Sequence, residues 1–61
     1  MNIEEIIEAK PEGATHYDIH GDYWKIIGDV AWFNIKGRGK WTRYAFTDIQ
    51  SYINDGTVKL L

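Results

Sequence analysis

The chain has 61 residues, no cysteine and a formal net charge of −2 at neutral pH. This length predicts one small domain over residues 1–61, and the lack of cysteine excludes disulfide bonds and cysteine-ligated zinc sites. The mild acidity argues against nonspecific binding of nucleic acid over the whole surface. Hydrophobic residues make up 44% and aromatic residues 15% of the chain, which is typical of a globular protein.

The N-terminal segment is acidic where a signal peptide would be basic, since it carries Glu4, Glu5 and Glu8. The longest apolar runs are also too short to cross a bilayer. We therefore expect a cytoplasmic protein without a membrane partner. The acidic segment itself predicts either a solvated helix face or a contact for a basic partner.

Isoleucines at positions i, i+3 and i+4 predict a short amphipathic helix over residues 2–10. This stripe consists of Ile3, Ile6 and Ile7. Asn2 is a suitable N-cap, and Pro11 ends the helical pattern.

Aromatic and β-branched residues alternate with glycine turns over residues 23–46, which predicts an antiparallel meander. The turns are expected at residues 28–29 and 37–39. A preceding strand over residues 15–19 is expected to reverse at residues 20–21, which gives four strands in all.

A second short helix is predicted after the meander, with Thr47 as N-cap, Gln50 completing a capping box and Gly56 just past the end. Residues 57–61 are apolar and β-prone, which predicts a short C-terminal strand or a docked tail. The predicted fold is therefore α+β: an N-terminal helix, a four-stranded antiparallel meander, a second short helix and a short C-terminal strand or tail.

Turn lengths predict which side chains share a face of the sheet. The turn at residues 28–29 pairs Lys25 with Trp32, and a three-residue loop at 37–39 pairs Trp32 with Tyr44. A turn at residues 20–21 places His16 beside Lys25, although a slip of one residue would reverse the faces of that first strand.

These registers predict an apolar core face and a mixed aromatic and polar face. The core face contains Trp24, Ile26, Ala31, Phe33, Ile35, Trp41 and Ala45, with Arg43 as a misfit. The mixed face is predicted to bind a partner through Tyr23, Lys25, Trp32, Asn34, Thr42 and Tyr44. Trp, Tyr and polar neighbours of this kind are typical of recognition surfaces. The alternative is that a helix covers this face as a second minor core, and the burial of Trp32 distinguishes the two.

The tip of the last hairpin contains the only dense basic run, with Lys36, Arg38 and Lys40. These cations are candidates to contact a phosphate backbone while nearby rings stack on bases. The alternative is a solvated hairpin end whose charges prevent edge pairing. A small nucleic-acid-binding domain is therefore the second functional hypothesis.

Catalytic and metal sites are not predicted. The His16-x-Asp18-x-His20 spacing lacks a fourth ligand, and two polar strand-edge histidines explain it better. Ser51 lies in a predicted helix without an evident general base, so we expect neither an enzyme nor a bound cofactor. A homodimer stays open, because small domains often gain buried area by association.

Residues 11–17 read P-E-G-A-T-H-Y, and this stretch resembles a P-x-G-A-T-H-Y segment of small accessory proteins of tailed bacteriophages and prophages. An aromatic-rich hairpin follows that segment, and Tyr23-Trp24 and Trp41 are similar to its rings. The resemblance implies a phage setting, in which small proteins without catalytic residues commonly bind host macromolecules. We therefore expect a non-catalytic protein-binding module that modulates or inhibits a host protein in the host cytoplasm.

Overall fold

The computed structural model describes residues 2–61 and shows two short helices and a five-stranded antiparallel sheet. The elements are α1 (Ile3–Glu8), β1 (His16–Asp18), β2 (Tyr23–Ile27), β3 (Val30–Asn34), a 3-10 turn (Ile35–Gly37), β4 (Thr42–Tyr44), α2 (Ile49–Asn54) and β5 (Val58–Leu60). The sheet order is β4-β3-β2-β1-β5. The predicted α+β class is confirmed. The C-terminal segment is a fifth strand that pairs with β1 and extends the predicted meander.

The helix ends agree with the sequence in part. Asn2 caps α1 as predicted, since its side-chain oxygen accepts a 2.8 Å hydrogen bond from the Glu4 amide. The predicted capping box at Thr47 is wrong, because Asp48 occupies the N-cap position of α2. Gly56 lies just past α2 with φ 87°, as predicted.

The β2–β3 register is confirmed, with Ile27 opposite Val30 and Lys25 opposite Trp32. Gly28 begins the connecting turn at φ 60°, which is favourable for glycine because it has no Cβ. The two-residue turn determines which residues of β2 and β3 are paired, and this register determines which side chains of the two strands share a face of the sheet.

The predicted β3–β4 register is wrong by one residue. Trp32 lies opposite Arg43, and Ala31 lies opposite Tyr44. The strands separate earlier than expected because the connection contains a 3-10 turn in which Lys36 adopts φ 55°. The shift moves Arg43 to the face of Trp32 and moves Tyr44 to the opposite face.

The first hairpin is also shifted by one residue, so His16 lies opposite Trp24 rather than Lys25. Its loop contains three residues, 19–21, because the Asp18 side chain accepts hydrogen bonds from the His20 and Asp22 amides, each 2.9 Å long. His16 and Asp18 therefore lie on the same face as Trp24.

The main core lies between α2 and one face of the sheet, which we call the covered face. Its buried residues are Trp24, Ala31, Ile49 and Val58, with Ile26, Phe33, Tyr44 and Ile53 packed against them. Ile35 and Ala45 were predicted to belong to this core but are exposed. Ile35 leaves the sheet at the 3-10 turn and is 58% exposed.

Candidate functional site

The sheet surface opposite the covered face carries the aromatic and cationic residues that have no place in the core. We call its centre, formed by Lys25, Trp32, Trp41 and Arg43, the open face. Lys25 and Trp32 are paired across β2 and β3, and Arg43 lies next to Trp32 on β4. All four side chains retain solvent exposure, and Arg43 is the most exposed of them. The open face therefore presents rings and positive charge together.

The two cations lie against the tryptophan rings. The Lys25 ammonium is 4.8 Å from the Trp32 ring centroid and 5.2 Å from the Trp41 centroid. The Arg43 guanidinium carbon is 5.9 Å from the Trp32 centroid. Such distances allow cation–π attraction, which holds the charges in place over an apolar surface. The open face therefore presents two indoles in contact with two positive charges.

The turn at residues 11–14 forms the rim of the open face. The Trp41 indole N–H donates a 3.3 Å hydrogen bond to the Glu12 carbonyl oxygen. Gly13 has φ 93°, and a Cβ at this position would lie 3.5 Å from Lys25 Cδ. This spacing is an ordinary van der Waals contact, so it is the positive φ that favours glycine at this position.

Two of the predicted partner-binding residues are buried and are not available to a partner. Tyr23 is 4% exposed, and its hydroxyl donates a 2.7 Å hydrogen bond to the Ile6 carbonyl of α1. Burial raises the pKa of Tyr23. Asn34 is 1% exposed and donates to the Gly39 carbonyl over 3.2 Å. Tyr23 ties α1 to the sheet and Asn34 ties the β3–β4 loop to it, while the buried Oδ1 of Asn34 has no hydrogen-bond partner among the described residues.

Thr42 and Tyr44 lie on the covered face because of the register shift. The Tyr44 ring packs edge-on against Trp24, with centroids 5.1 Å apart and an interplanar angle of 80°. Its hydroxyl donates a 2.6 Å hydrogen bond to Asp48. That bond, together with burial, raises the pKa of Tyr44 to about 12. Tyr44 is therefore a packing residue that ties β4 to the start of α2.

The open face gains two residues that the sequence did not assign to it, Trp41 and Arg43. A signal existed in the unusual charge of Arg43 on the predicted core face. A charged residue does not fit an apolar core face, and a shift of the β3–β4 pairing by one residue moves Arg43 off that face. The observed register has this shift. Trp32 is partly exposed, and α1 reaches this side of the sheet through Ile6 at Tyr23.

In the basic loop, which contains Lys36, Arg38 and Lys40, one of the three cations is held by hydrogen bonds to the rest of the protein. The Lys36 amide donates a 3.0 Å hydrogen bond to the Asp22 carboxylate, and its ammonium donates to the His20 carbonyl. Arg38 and Lys40 are exposed. The loop therefore offers two exposed cations, Arg38 and Lys40, and one tethered cation, Lys36.

The two histidines lie apart. His16 is partly buried on the covered face, with Nδ1 2.7 Å from the Thr15 hydroxyl, and burial lowers its pKa. His20 is exposed in the first hairpin loop. Within residues 2–61, no group of three or more His, Cys, Asp or Glu side chains is placed to hold a metal ion.

No protein-family model, curated protein or solved structure matches this chain. Neither helix described in residues 2–61 combines the length and apolar character needed to span a bilayer.

Proposed function

We propose that this protein is a small non-catalytic module that binds a protein partner through its open face. The observation that carries the proposal is Trp32, which stays partly exposed between Lys25 and Arg43 on the face that α2 does not cover. Trp and Arg are the residues most enriched among energetic anchors of protein interfaces. Their cation–π contacts hold them in a binding-ready arrangement, which lowers the entropic cost of association.

We further propose that the partner is a host protein and that the module acts as a phage-type accessory protein in the host cytoplasm. The support is the resemblance of residues 11–17 to the phage segment. Part of that stretch forms the rim of the open face, where the Glu12 carbonyl fixes the Trp41 indole. Binding at this face would modulate or inhibit the host protein by covering part of its surface.

The test is quantitative affinity capture from the lysate of a candidate bacterial host. Tagged wild-type protein is compared with Trp32→Ala and with the control Phe46→Ala, which removes a ring that is 71% exposed outside the open face. We expect at least one protein that wild type and Phe46→Ala capture equally and that Trp32→Ala captures much less. Equal capture of every protein by all three variants would contradict the proposal.

A second candidate function is nucleic-acid binding, favoured by the position of Arg43 beside Trp32. The register shift brings a second cation to the open face, and Arg38 and Lys40 extend the positive charge into the adjacent loop. Rings that stack on bases beside cations that contact phosphates are typical of single-strand binding surfaces. The net charge of −2 and the acidic α1 weigh against it.

Titration with fluorescent single-stranded and duplex oligonucleotides over a range of salt concentrations separates the two functions. A nucleic-acid binder would show affinity that falls steeply with salt, because bound counterions are released from the phosphates. Trp32→Ala and a double Arg38→Gln, Lys40→Gln variant would both weaken it. Absence of binding at low salt eliminates this candidate and leaves the protein-binding proposal in place.

A further inference from the structure

A cleft of about 200 Å³ opens beside the covered face, on the other side of the sheet from the open face. Trp24 and Tyr44 contribute rings from the sheet, Tyr52 contributes a ring from α2, and Asp18 contributes a carboxylate. The volume is below that of a typical pocket for a drug-sized ligand, so the cleft suits a single head group. None of the functions considered above uses it.

The aromatic walls stand at an angle to one another. The Trp24 and Tyr44 rings touch each other edge to face, at 80° with centroids 5.1 Å apart, so a cation would meet both rings from the cleft and would not enter between them. Tyr52 is 37% exposed and lies at the rim of the cleft. Several rings around a small volume, with one side open, are the arrangement that proteins use to hold organic cations against aromatic faces.

The carboxylate supplies a charge for such a cation. Asp18 is 5% exposed, and its hydrogen bonds come from neutral donors. Oδ1 accepts the His20 and Asp22 amides, and Oδ2 accepts the Trp24 indole N–H over 2.9 Å. A carboxylate has about four acceptor positions, so these three bonds leave one position for an N–H of a primary ammonium, whereas a quaternary ammonium would be attracted by the charge and the rings alone. Its negative charge has no cationic partner among these contacts. His20 also lines the cleft, so a binding titration is run at a pH well above the usual histidine pKa, where its imidazole is neutral.

We propose that this cleft binds an alkylammonium head group, the chemistry shared by lysine side chains and choline-like small molecules. The rings attract the cation through their electron-rich faces, and Asp18 supplies the opposite charge in a partly desolvated site. The exposed carboxylate of Asp48, which accepts the Tyr44 hydroxyl, places a second negative charge next to one of the lining rings. This site is separate from the open face, so the proposal of a cation site does not depend on the proposed function.

The test is NMR titration of the intact protein, followed through its three indole N–H signals. The probes are N-acetyl-trimethyllysine methylamide, N-acetyl-lysine methylamide and choline, together with a neutral control in which a tert-butyl group replaces trimethylammonium. We expect the Trp24 signal to shift saturably, with a Kd on the order of 1 mM for the best cation. The Trp32 and Trp41 signals serve as internal references because they lie on the opposite face.

Comparison of the probes distinguishes the sources of the ammonium group. Stronger binding of trimethyllysine than of choline identifies a side chain of a protein partner, whereas the reverse identifies a small molecule. Either order supports the proposed chemistry. Equal shifts with the neutral control, or no saturation of the Trp24 signal up to about 20 mM of any cation, would overturn it.

Variants at Tyr52 test the cleft itself, because this ring is at the rim and its loss leaves the core intact. Tyr52→Ala should weaken the best cation at least fivefold, while Tyr52→Phe keeps the ring and should bind like the wild type. Tyr17→Ala makes the same change on the opposite face and should have no effect on affinity. Unchanged binding by a folded Tyr52→Ala variant would overturn the assignment.

Discussion

The Tyr23 hydroxyl connects α1 to the sheet through one buried hydrogen bond to the Ile6 carbonyl. Tyr23→Phe removes the donor and leaves that carbonyl without it, so we expect the free energy of unfolding to fall by about 1–2 kcal/mol. Urea denaturation measures the change. Tyr17→Phe is the matched control and should change stability by less than about 0.5 kcal/mol. Equal losses in the two variants would contradict the role of the bond.

The Tyr44 hydroxyl should lose its proton at a higher pH than an ordinary tyrosine, because it donates a hydrogen bond to Asp48 and because burial disfavours the phenolate. Its folded pKa of about 12 lies above the ordinary value of 10.0. The bond therefore stabilises the fold fully below the ordinary pKa, and this contribution is lost as pH rises toward the folded value. Ultraviolet absorbance of phenolate should show a late transition that Asp48→Asn moves to lower pH, whereas the late transition of the buried Tyr23 should stay in place. No movement of either transition would contradict this assignment.

Mutation of Tyr44 tests whether this residue packs in the core, as the structure shows, or mainly binds a partner, as the sequence predicted. Because its ring contacts Trp24 and Phe33, we expect Tyr44→Ala to lower the free energy of unfolding by about 2–3 kcal/mol. Thermal or urea unfolding measures this loss. An unchanged unfolding midpoint would show that Tyr44 is not part of the core.

The helix α1 is held by its Asn2 cap, by the buried side chain of Ile6 and by the Tyr23 hydrogen bond. The other isoleucines of the helix, Ile3 and Ile7, are 46% and 48% exposed, so little apolar burial holds the helix. Asn2→Ala removes the acceptor of the Glu4 amide and should increase amide hydrogen exchange in α1 about fivefold, which corresponds to about 1 kcal/mol. Exchange in β2 and β3 should stay unchanged. A uniform increase across the sheet would contradict local opening of α1.

The three hairpins show how far local sequence determines pairing. The β2–β3 register was predictable because Gly28-Asp29 admits one tight turn. The first hairpin was not, because the Asp18 side chain organises a three-residue loop by accepting two amides. Side chains that compete for loop amides in this way leave no clear periodic signal in a sequence.

The β3–β4 hairpin was mispredicted for a related reason. Lys36 takes a left-handed conformation that is uncommon for non-glycine residues, so the loop begins before the expected glycine. The consequence for the site is an exchange: Lys25 and Trp32 were placed correctly, whereas Tyr44 and Arg43 trade faces. Because side chains alternate between the two faces along a strand, an error of one residue in the predicted pairing moves every side chain of that strand to the other face.

The whole molecule has two chemically different sides. The open face combines two indoles with Lys25 and Arg43, while the cleft on the other side combines rings with Asp18 and Asp48 nearby. A chain of 61 residues thus offers a cationic surface and an anionic recess on one sheet. The proposed partner surface and the proposed cation site therefore lie on opposite sides of the sheet.

The sheet edges bear on the question of self-association. The outer strands β4 and β5 are each three residues long, and each carries an exposed cation, Arg43 or Lys59. Short, charged edges disfavour strand pairing between molecules. We therefore expect the sedimentation coefficient to stay at the monomer value over a concentration series. A coefficient that rises with concentration would instead indicate a homodimer.

The most direct test of the account is the affinity of the captured partner for wild-type protein and Trp32→Ala, measured by titration calorimetry alongside thermal unfolding. We expect Trp32→Ala to raise Kd at least about fivefold, a loss of more than about 1 kcal/mol, while the variant unfolds as a cooperative, folded protein. An unchanged Kd in the folded variant would contradict the assignment of the open face as the binding surface.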